Sequence, residues 1–165
     1  RGFPGAVAAL RRTMEPIAVD SQARILGANA RRIYGLPSRW TGPTAVAVDY
    51  FTAVTLRDTD ALSRLFSADA TLDAEGARHE GADTIARFYR QGAFAFADLL
   101  PHPRSFRVEG NQVVVEIDLR IAGTSSAVVD TFEIVDGRIR SLVIQGLSDQ
   151  VRSRLAELTD DQGFR

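Results

Sequence analysis

The feature that most constrains the fold of this sequence is an alternation of apolar and polar side chains over residues 113–121. The odd positions are all apolar, and three of the four even positions are charged: Glu116, Asp118 and Arg120. Side chains of a β-strand point alternately to the two faces of a sheet. The period of two therefore predicts a strand with one face in a core and the other in water.

Three more runs of strand composition surround this one, at residues 105–109, 127–135 and 139–147. The dipeptide Asp136-Gly137 separates the last two runs, and such a pair between apolar runs is a strong hairpin signal. The second half of the chain is therefore predicted to form consecutive antiparallel strands.

Helical patterns come before these strands. Val46, Tyr50, Phe51 and Val54 follow helical spacing. A short helix carrying Leu62, Leu65 and Phe66, a strand at residues 70–73, a loop at residues 74–80 and a third helix over residues 83–96 complete the prediction. Helices followed by antiparallel strands predict an α+β fold, in which a curved, mostly antiparallel sheet wraps around three helices. Such a half-cone encloses an apolar pocket that is open at one end.

Composition restricts the partners. The 165 residues carry a net charge of −1, which gives no electrostatic reason to expect nucleic acid or an anionic membrane. No apolar run approaches the length that spans a bilayer, and the start of the chain does not resemble a signal peptide. The sequence contains no cysteine, and its two histidines have no carboxylate or histidine at metal-ligand spacing. We therefore predict a cytoplasmic protein without metal or cofactor.

Six groups of residues between positions 46 and 147 carry a family resemblance: Asp49–Ala53, Asp60–Leu62, Leu65–Thr71, Gly81 with Ile85, Phe88 and Tyr89, Asp130 with Phe132, and Asp136–Ile139. Through them, residues 46–147 resemble the NTF2-like superfamily, the cone-shaped α+β fold of SnoaL-type cyclases and ketosteroid isomerases. The resemblance implies the fold. It implies the reaction only weakly, because this fold carries isomerases, cyclases, other enzymes and domains that are not enzymes.

Three polar positions match ketosteroid isomerase. The resemblance implies that Tyr50 and Asp130 are hydrogen-bond donors to an oxyanion and that Tyr89 supports them in one network. That enzyme is a known case of a carboxylic acid held neutral by an apolar site. Phe88, Phe132, His79 and Glu75 are predicted to contact the ligand.

The general base of that family has no direct counterpart. Alignment puts Ala74 at its position, with Asp73 one residue before and Glu75 one residue after. A one-residue offset points a strand side chain to the other face unless a bulge intervenes. Asp73 is the predicted catalytic carboxylate, and Glu75 or His79 are the alternatives.

The chain divides by composition into four parts. Residues 1–37 are predicted to be a helical extension, 38–43 a linker, 44–148 the NTF2-like domain, and 149–165 a polar tail with a short helix at 151–158. Within the extension, Arg24–Leu36 resembles the C-terminal helix of amidohydrolases related to metal-dependent decarboxylases. The barrel strands and metal-binding histidines of those enzymes are absent, so no such activity is implied.

Two functions remain open from the sequence. One is a cofactor-independent isomerase, cyclase or lyase acting at a carbonyl of a small apolar ligand. The other is a non-catalytic module that binds a ligand or mediates dimerisation, associated with an amidohydrolase-like protein. Because this fold commonly dimerises through the outer face of its sheet, a homodimer is predicted in either case.

Overall fold

The computed structural model describes residues 41–160. Its helices are α1 (Gly42–Leu56), α2 (Thr59–Leu65), α3 (Ala82–Gln91) and α4 (Asp149–Asp160), with a 3-10 turn at Ala93–Ala95. Its strands are β1 (Phe66–Ala74), β2 (Ala77–Glu80), β3 (Leu100–Glu109), β4 (Gln112–Ile121), β5 (Thr124–Val135) and β6 (Arg138–Gln145). The predictions for residues 1–40 lie outside the described residues.

The six strands form one sheet in the order β2-β1-β6-β5-β4-β3. Strands β1 and β6 are parallel, and every other neighbouring pair is antiparallel. The ladders align one residue of each strand in a single cross-sheet row. This row, called here the central row, consists of Ala77, Ala74, Ile144, Asp130, Val115 and Phe106.

The predicted α+β architecture is confirmed, and so is the alternation in β4. Val113, Val115, Ile117 and Ile121 are buried, whereas the charged residues between them are exposed. The inner face of the sheet packs against α1, α2 and α3. Phe66, Phe132, Leu72 and Leu142 of the sheet and Leu62 and Ile85 of the helices are fully buried there.

Several element predictions were wrong in detail. Strand β1 begins at Phe66, which was predicted to lie in the short helix, and β3 begins at Leu100 rather than at residue 105. The predicted loop at residues 74–80 contains strand β2, which pairs with β1 through a tight turn. Glu75 and Gly76 have φ values of 54° and 89°, as a type I′ turn requires at both central residues. The predicted third helix was too long, because Gly92 ends α3 and the chain tightens into the 3-10 turn.

Helix α4 is longer than the helix predicted in the polar tail. Val151 and Leu155 are one helical turn apart on its buried face. The chain enters this helix through Gly146, whose φ is 96°. A Cβ at this position would lie 2.4 Å from the carbonyl oxygen of Ala127, so the close approach requires glycine. Residues 149–160 therefore contribute to the core.

Side-chain hydrogen bonds stabilise several turns of the domain. Arg138 Nη1 donates to the carbonyl oxygens of Arg64, at 2.9 Å, and Phe66, at 3.4 Å, and joins the β5–β6 turn to the start of β1. Asp98 accepts from the backbone amides of Ala122, at 3.0 Å, and Gly123, at 2.7 Å. These bonds satisfy backbone groups that the ladders leave unpaired. Across residues 41–160, no helix is long and apolar enough to cross a bilayer.

A substitution at Leu142 tests the assignment of the core. It is fully buried on β6 between Leu72 of β1 and Phe132 of β5. We expect Leu142→Ala to lower the free energy of unfolding by about 2–5 kcal/mol through lost burial and the cavity it leaves. Urea unfolding followed by circular dichroism measures this. The exposed Arg140, on the same strand, is the control, and Arg140→Ala should change stability by less than about 0.5 kcal/mol. Equal effects of the two changes would contradict this assignment of the core.

Candidate functional site

A cavity lies between the inner face of the sheet and helices α1, α3 and α4. It measures about 60 Å³, counted as the space that the centre of a water molecule can occupy. Of the lining residues within positions 41–160, all but three are apolar. They are Phe51, Val54, Ala74, Phe88, Ala93, Leu99, Pro101, Ile117, Leu119, Ile121, Val128, Ile144, Leu147 and Leu155, and the three polar ones are Tyr50, Tyr89 and Asp130.

The two tyrosines reach the cavity from different helices. Tyr50 lies on the buried face of α1 that Ala47, Phe51 and Val54 share, and Tyr89 lies on the buried face of α3. Their hydroxyl groups are hydrogen-bonded to each other. Each side chain is 3% exposed, so this pair is held away from water. Helical packing therefore brings two predicted site residues, 39 positions apart in sequence, into direct contact.

Asp130 comes from β5 and points to the same face as Val128 and Phe132. Its partners in the central row are the apolar residues Val115 and Ile144. Its Oδ1 is buried and has no hydrogen-bond partner among the described residues. Burial raises the pKa of the Asp130 carboxyl to about 8, because an apolar surrounding disfavours the charged form. At neutral pH the group is therefore mostly a neutral acid that can donate a hydrogen bond.

The tyrosines and Asp130 form one electrostatic group. Burial raises the pKa of Tyr50 well above its usual value, and the charges of Tyr89 and Asp130 raise it further. The pKa of Tyr89 is also raised, mainly by burial. Both phenols are thus neutral at any physiological pH. Tyr50, Tyr89 and Asp130 thus bring three O–H groups to one cavity, and no positively charged side chain is among its described lining residues.

The predicted base, Asp73, is not in the cavity. Burial alternates along β1, so that Ala74 faces the cavity and Asp73 points to the opposite face. Asp73 Oδ1 accepts a hydrogen bond of 2.7 Å from the backbone amide of Gly76 and stabilises the turn. No bulge lies between Thr71 and Ala74 to change this alternation.

The alternatives Glu75 and His79 are also outside the cavity lining. Glu75 Oε1 accepts hydrogen bonds from the backbone amides of Gly146 and, at 3.0 Å, Leu147. This contact, called here the Glu75 anchor, joins the β1–β2 turn to the segment that leads into α4. The ring of His79 lies 4.4 Å from the ring of Phe88, which itself lines the cavity. Partial burial lowers the pKa of His79.

Of the two phenylalanines predicted to contact the ligand, the structure places one in the cavity lining. Phe88 lines the cavity, whereas Phe132 is fully buried behind it. The Phe132 ring packs at 5.1 Å from that of Tyr50 with an interplanar angle of 72°. Phe132 thus orients Tyr50 and does not form the cavity wall.

Sequence reasoning missed the part of the cavity wall that comes from the end of the chain. Leu155 lines the cavity, although residues 149–165 were predicted to be a polar tail. The signal that could have found it is the i, i+4 spacing of Val151 and Leu155 in an otherwise polar segment. Within residues 41–160, no group of three or more His, Asp or Glu side chains could hold a metal ion.

The pKa of Asp130 predicts how stability depends on pH. The folded pKa, about 8, is above the unfolded value near 3.8, so the native state binds one more proton between these values. The stability contributed by this proton is complete below pH 3.8 and is lost as the pH rises through 8. Between pH 3.8 and pH 8, we expect the free energy of unfolding of wild type to fall by up to about 1.4 kcal/mol per pH unit relative to that of Asp130→Asn. Urea unfolding at pH 5 to 9 measures the difference. The control, Asp118→Asn, removes an exposed carboxyl from β4 and should run parallel to wild type. A constant difference between wild type and Asp130→Asn would contradict the burial of this carboxyl.

Comparison with known proteins finds the same architecture elsewhere. Protein SMa1630 of Sinorhizobium meliloti, described as a candidate polyketide cyclase, is 32% identical over 68% of this chain and 97% of its own, with a TM-score of 0.58. A candidate ketosteroid isomerase from Kribbella flavida is 19% identical over 64% of this chain and 78% of its own, with a TM-score of 0.57. TerC, crystallised with polyporic acid, is 15% identical over 69% of this chain and 98% of its own, with a TM-score of 0.60.

No curated protein sequence matches the chain. The family match does not reach residues 24–36, so the resemblance of that segment to amidohydrolases has no support. The model of the SnoaL-like domain covers residues 47–142, and the solved structures confirm the NTF2-like fold predicted from the sequence. The cavity, its polar residues and the surrounding sheet lie mainly within the matched region, and the chain belongs to the family of SnoaL-like domains.

Proposed function

We propose that this domain binds a small, mostly apolar carbonyl compound with its oxygen between Tyr50 and Asp130. The observation that carries the proposal is that the three polar residues of the described cavity lining all carry O–H groups that are neutral near pH 7, two of them hydrogen-bonded to each other. A carbonyl oxygen accepts hydrogen bonds and offers no proton, so it matches donors of this kind. The rest of the ligand would contact the apolar wall.

The same donors would stabilise charge that develops on the oxygen. When a proton leaves the carbon next to a carbonyl, the oxygen becomes an enolate, and preorganised donors in a dry site favour that state. Removing one such donor typically costs about 2.7–4 kcal/mol of transition-state stabilisation. Tyr89 would act through Tyr50, because its hydroxyl is bonded to that of Tyr50. A proton carried by Asp130 removes the repulsion that an ionised carboxylate would exert on the oxyanion.

This chemistry suits an isomerase or a cyclase that acts at a carbonyl. Support comes from the SnoaL-like family and from neighbours described as a candidate polyketide cyclase and a candidate ketosteroid isomerase. Ala74 favours a second function, binding without turnover. Its methyl group lines the cavity where the base is expected, and Asp130 is the sole carboxyl of the cavity lining within the described residues.

Phenol binding tests the donor cluster, because a phenol oxygen resembles the enolate oxygen in shape. We expect phenol to bind wild type at pH 6 and Tyr50→Phe to weaken it about tenfold or more, as a lost buried hydrogen bond of 1.5 kcal/mol or greater implies. Asp130→Asn should weaken it less, because an amide still donates. Calorimetric titration gives the affinities. Thr52→Ala, on the same helix but outside the cavity lining, is the control. Equal phenol affinity of Tyr50→Phe and wild type would refute the proposal.

Ala74→Asp tests whether the missing base limits turnover. A carboxylate at this position would lie in the cavity wall beside Ile144 of β6. Strand β6 separates it from Asp130 of β5. Positioned proton transfer contributes about a hundredfold or more to rates. We therefore expect Ala74→Asp to accelerate hydrogen–deuterium exchange next to the carbonyl of cyclohexanone at least tenfold, measured by NMR.

The matched variant Ala74→Asn has nearly the same size but cannot accept the proton, and it should exchange no faster than wild type. Wild-type exchange as fast as that of Ala74→Asp would show that another base already serves the cavity. It would then favour the catalytic function over simple binding.

A further inference from the structure

The cavity has a second property that the carbonyl proposal does not use. Asp130, the one acid among the described lining residues, is 3% exposed, and its Oδ1 lacks a hydrogen-bond partner among the described residues. Nothing in the described lining supplies a positive charge to it, since that lining contains no Arg, Lys or His. A buried carboxylate is costly unless a cation pairs with it. An ionised Asp130 therefore leaves a place for a positive charge inside the cavity.

Four of the residues that line the same cavity are aromatic. Tyr50, Phe51, Phe88 and Tyr89 all line the cavity, and the rings of Tyr50 and Tyr89 each pack against neighbouring rings within about 5–6 Å. Aromatic rings attract cations through their quadrupole, and the attraction is stronger where water is excluded. One acid among four aromatic residues is a composition suited to a methylated or alkylated ammonium group.

We propose that this cavity also binds small hydrophobic amines in their cationic form, with the Asp130 carboxylate as counter-ion and the aromatic residues around the alkyl groups. The proposal uses the same cavity but does not depend on the carbonyl proposal. The two ligand classes require opposite forms of one residue. A carbonyl oxygen needs the protonated acid, and an ammonium ion needs the carboxylate.

Other charged groups near Asp130 do not change this assignment. From α1 and α3 the titratable side chains that face it are Tyr50 and Tyr89, both held neutral by burial. The neighbouring strands present Val115, Ile144 and, one strand further, Ala74. Helix α4 contributes Leu155, and β3 contributes Pro101. Ionisation of Asp130 alone therefore sets the pH at which the cavity accepts a cation.

Tetramethylammonium is the probe, because its charge is independent of pH, and tert-butanol is a neutral control of similar shape. We expect the affinity of wild type for tetramethylammonium to fall about a hundredfold from pH 9 to pH 6, as the ionised fraction of a group with a pKa of about 8 falls. The affinity for tert-butanol should change less than about threefold. Calorimetric titration and NMR shifts of the cavity methyl groups measure both.

Asp130→Asn should bind tetramethylammonium at least tenfold more weakly than wild type at pH 9 and keep its tert-butanol affinity. The matched control, Asp118→Asn, removes an exposed carboxyl on the outer face of the sheet and should behave as wild type. Wild type itself gives a second measurement in case Asp130→Asn does not fold. Saturating tetramethylammonium should lower the carboxyl pKa of Asp130, followed by carbon NMR, by at least one unit.

Absence of tetramethylammonium binding at pH 9, binding that is independent of pH, or an unchanged Asp130 titration would each overturn the inference. Phenol binding in the same preparation separates the two proposals. Protein that binds phenol at pH 6 but not tetramethylammonium at pH 9 refutes the amine inference alone, and the reverse result refutes the carbonyl proposal alone.

Discussion

The chemistry of this domain depends on the cost of burying one carboxyl group. Asp130 is placed in the middle of the sheet, with apolar neighbours on both adjacent strands. Folding cannot supply it with water, and no cation of the described cavity lining pairs with it. The carboxyl group of Asp130 therefore stays protonated up to an unusually high pH. A residue that would be a surface anion elsewhere is thus mostly a neutral acid at pH 7.

The surrounding structure maintains this environment. Phe132 fills the space behind Tyr50, and α4 extends the apolar wall with Leu155. The hydrogen bond between Tyr50 and Tyr89 satisfies two hydroxyl groups that would otherwise be buried in the core without a partner. Helices and sheet therefore contribute different things: the helices position the phenols, and the sheet isolates the acid. Fold and site are linked because the packing that forms the fold also positions the phenols and isolates the acid.

Much of this could be predicted from the sequence. The alternation in β4 and the Asp136-Gly137 turn predict the antiparallel sheet, and Asp130 is conspicuous as an acid that directly follows the apolar run Ala127–Val129. Strand periodicity also indicated that Asp73 and Ala74 face opposite sides. What the sequence did not reveal depends on contacts between distant segments. The Glu75-Gly76 turn lacks the usual Asn or Asp, and the role of Leu155 follows only from where α4 packs.

The Glu75 anchor has a consequence for how this family can vary. One side chain in the β1–β2 turn bonds the two amides that precede α4, and the residue between sheet and helix is a glycine that no larger side chain can replace. An insertion in that turn would move the carboxylate and remove the hydrogen bonds that join the turn to the segment before α4. The length of this turn is therefore coupled to the position of the segment that leads into the cavity wall at Leu147.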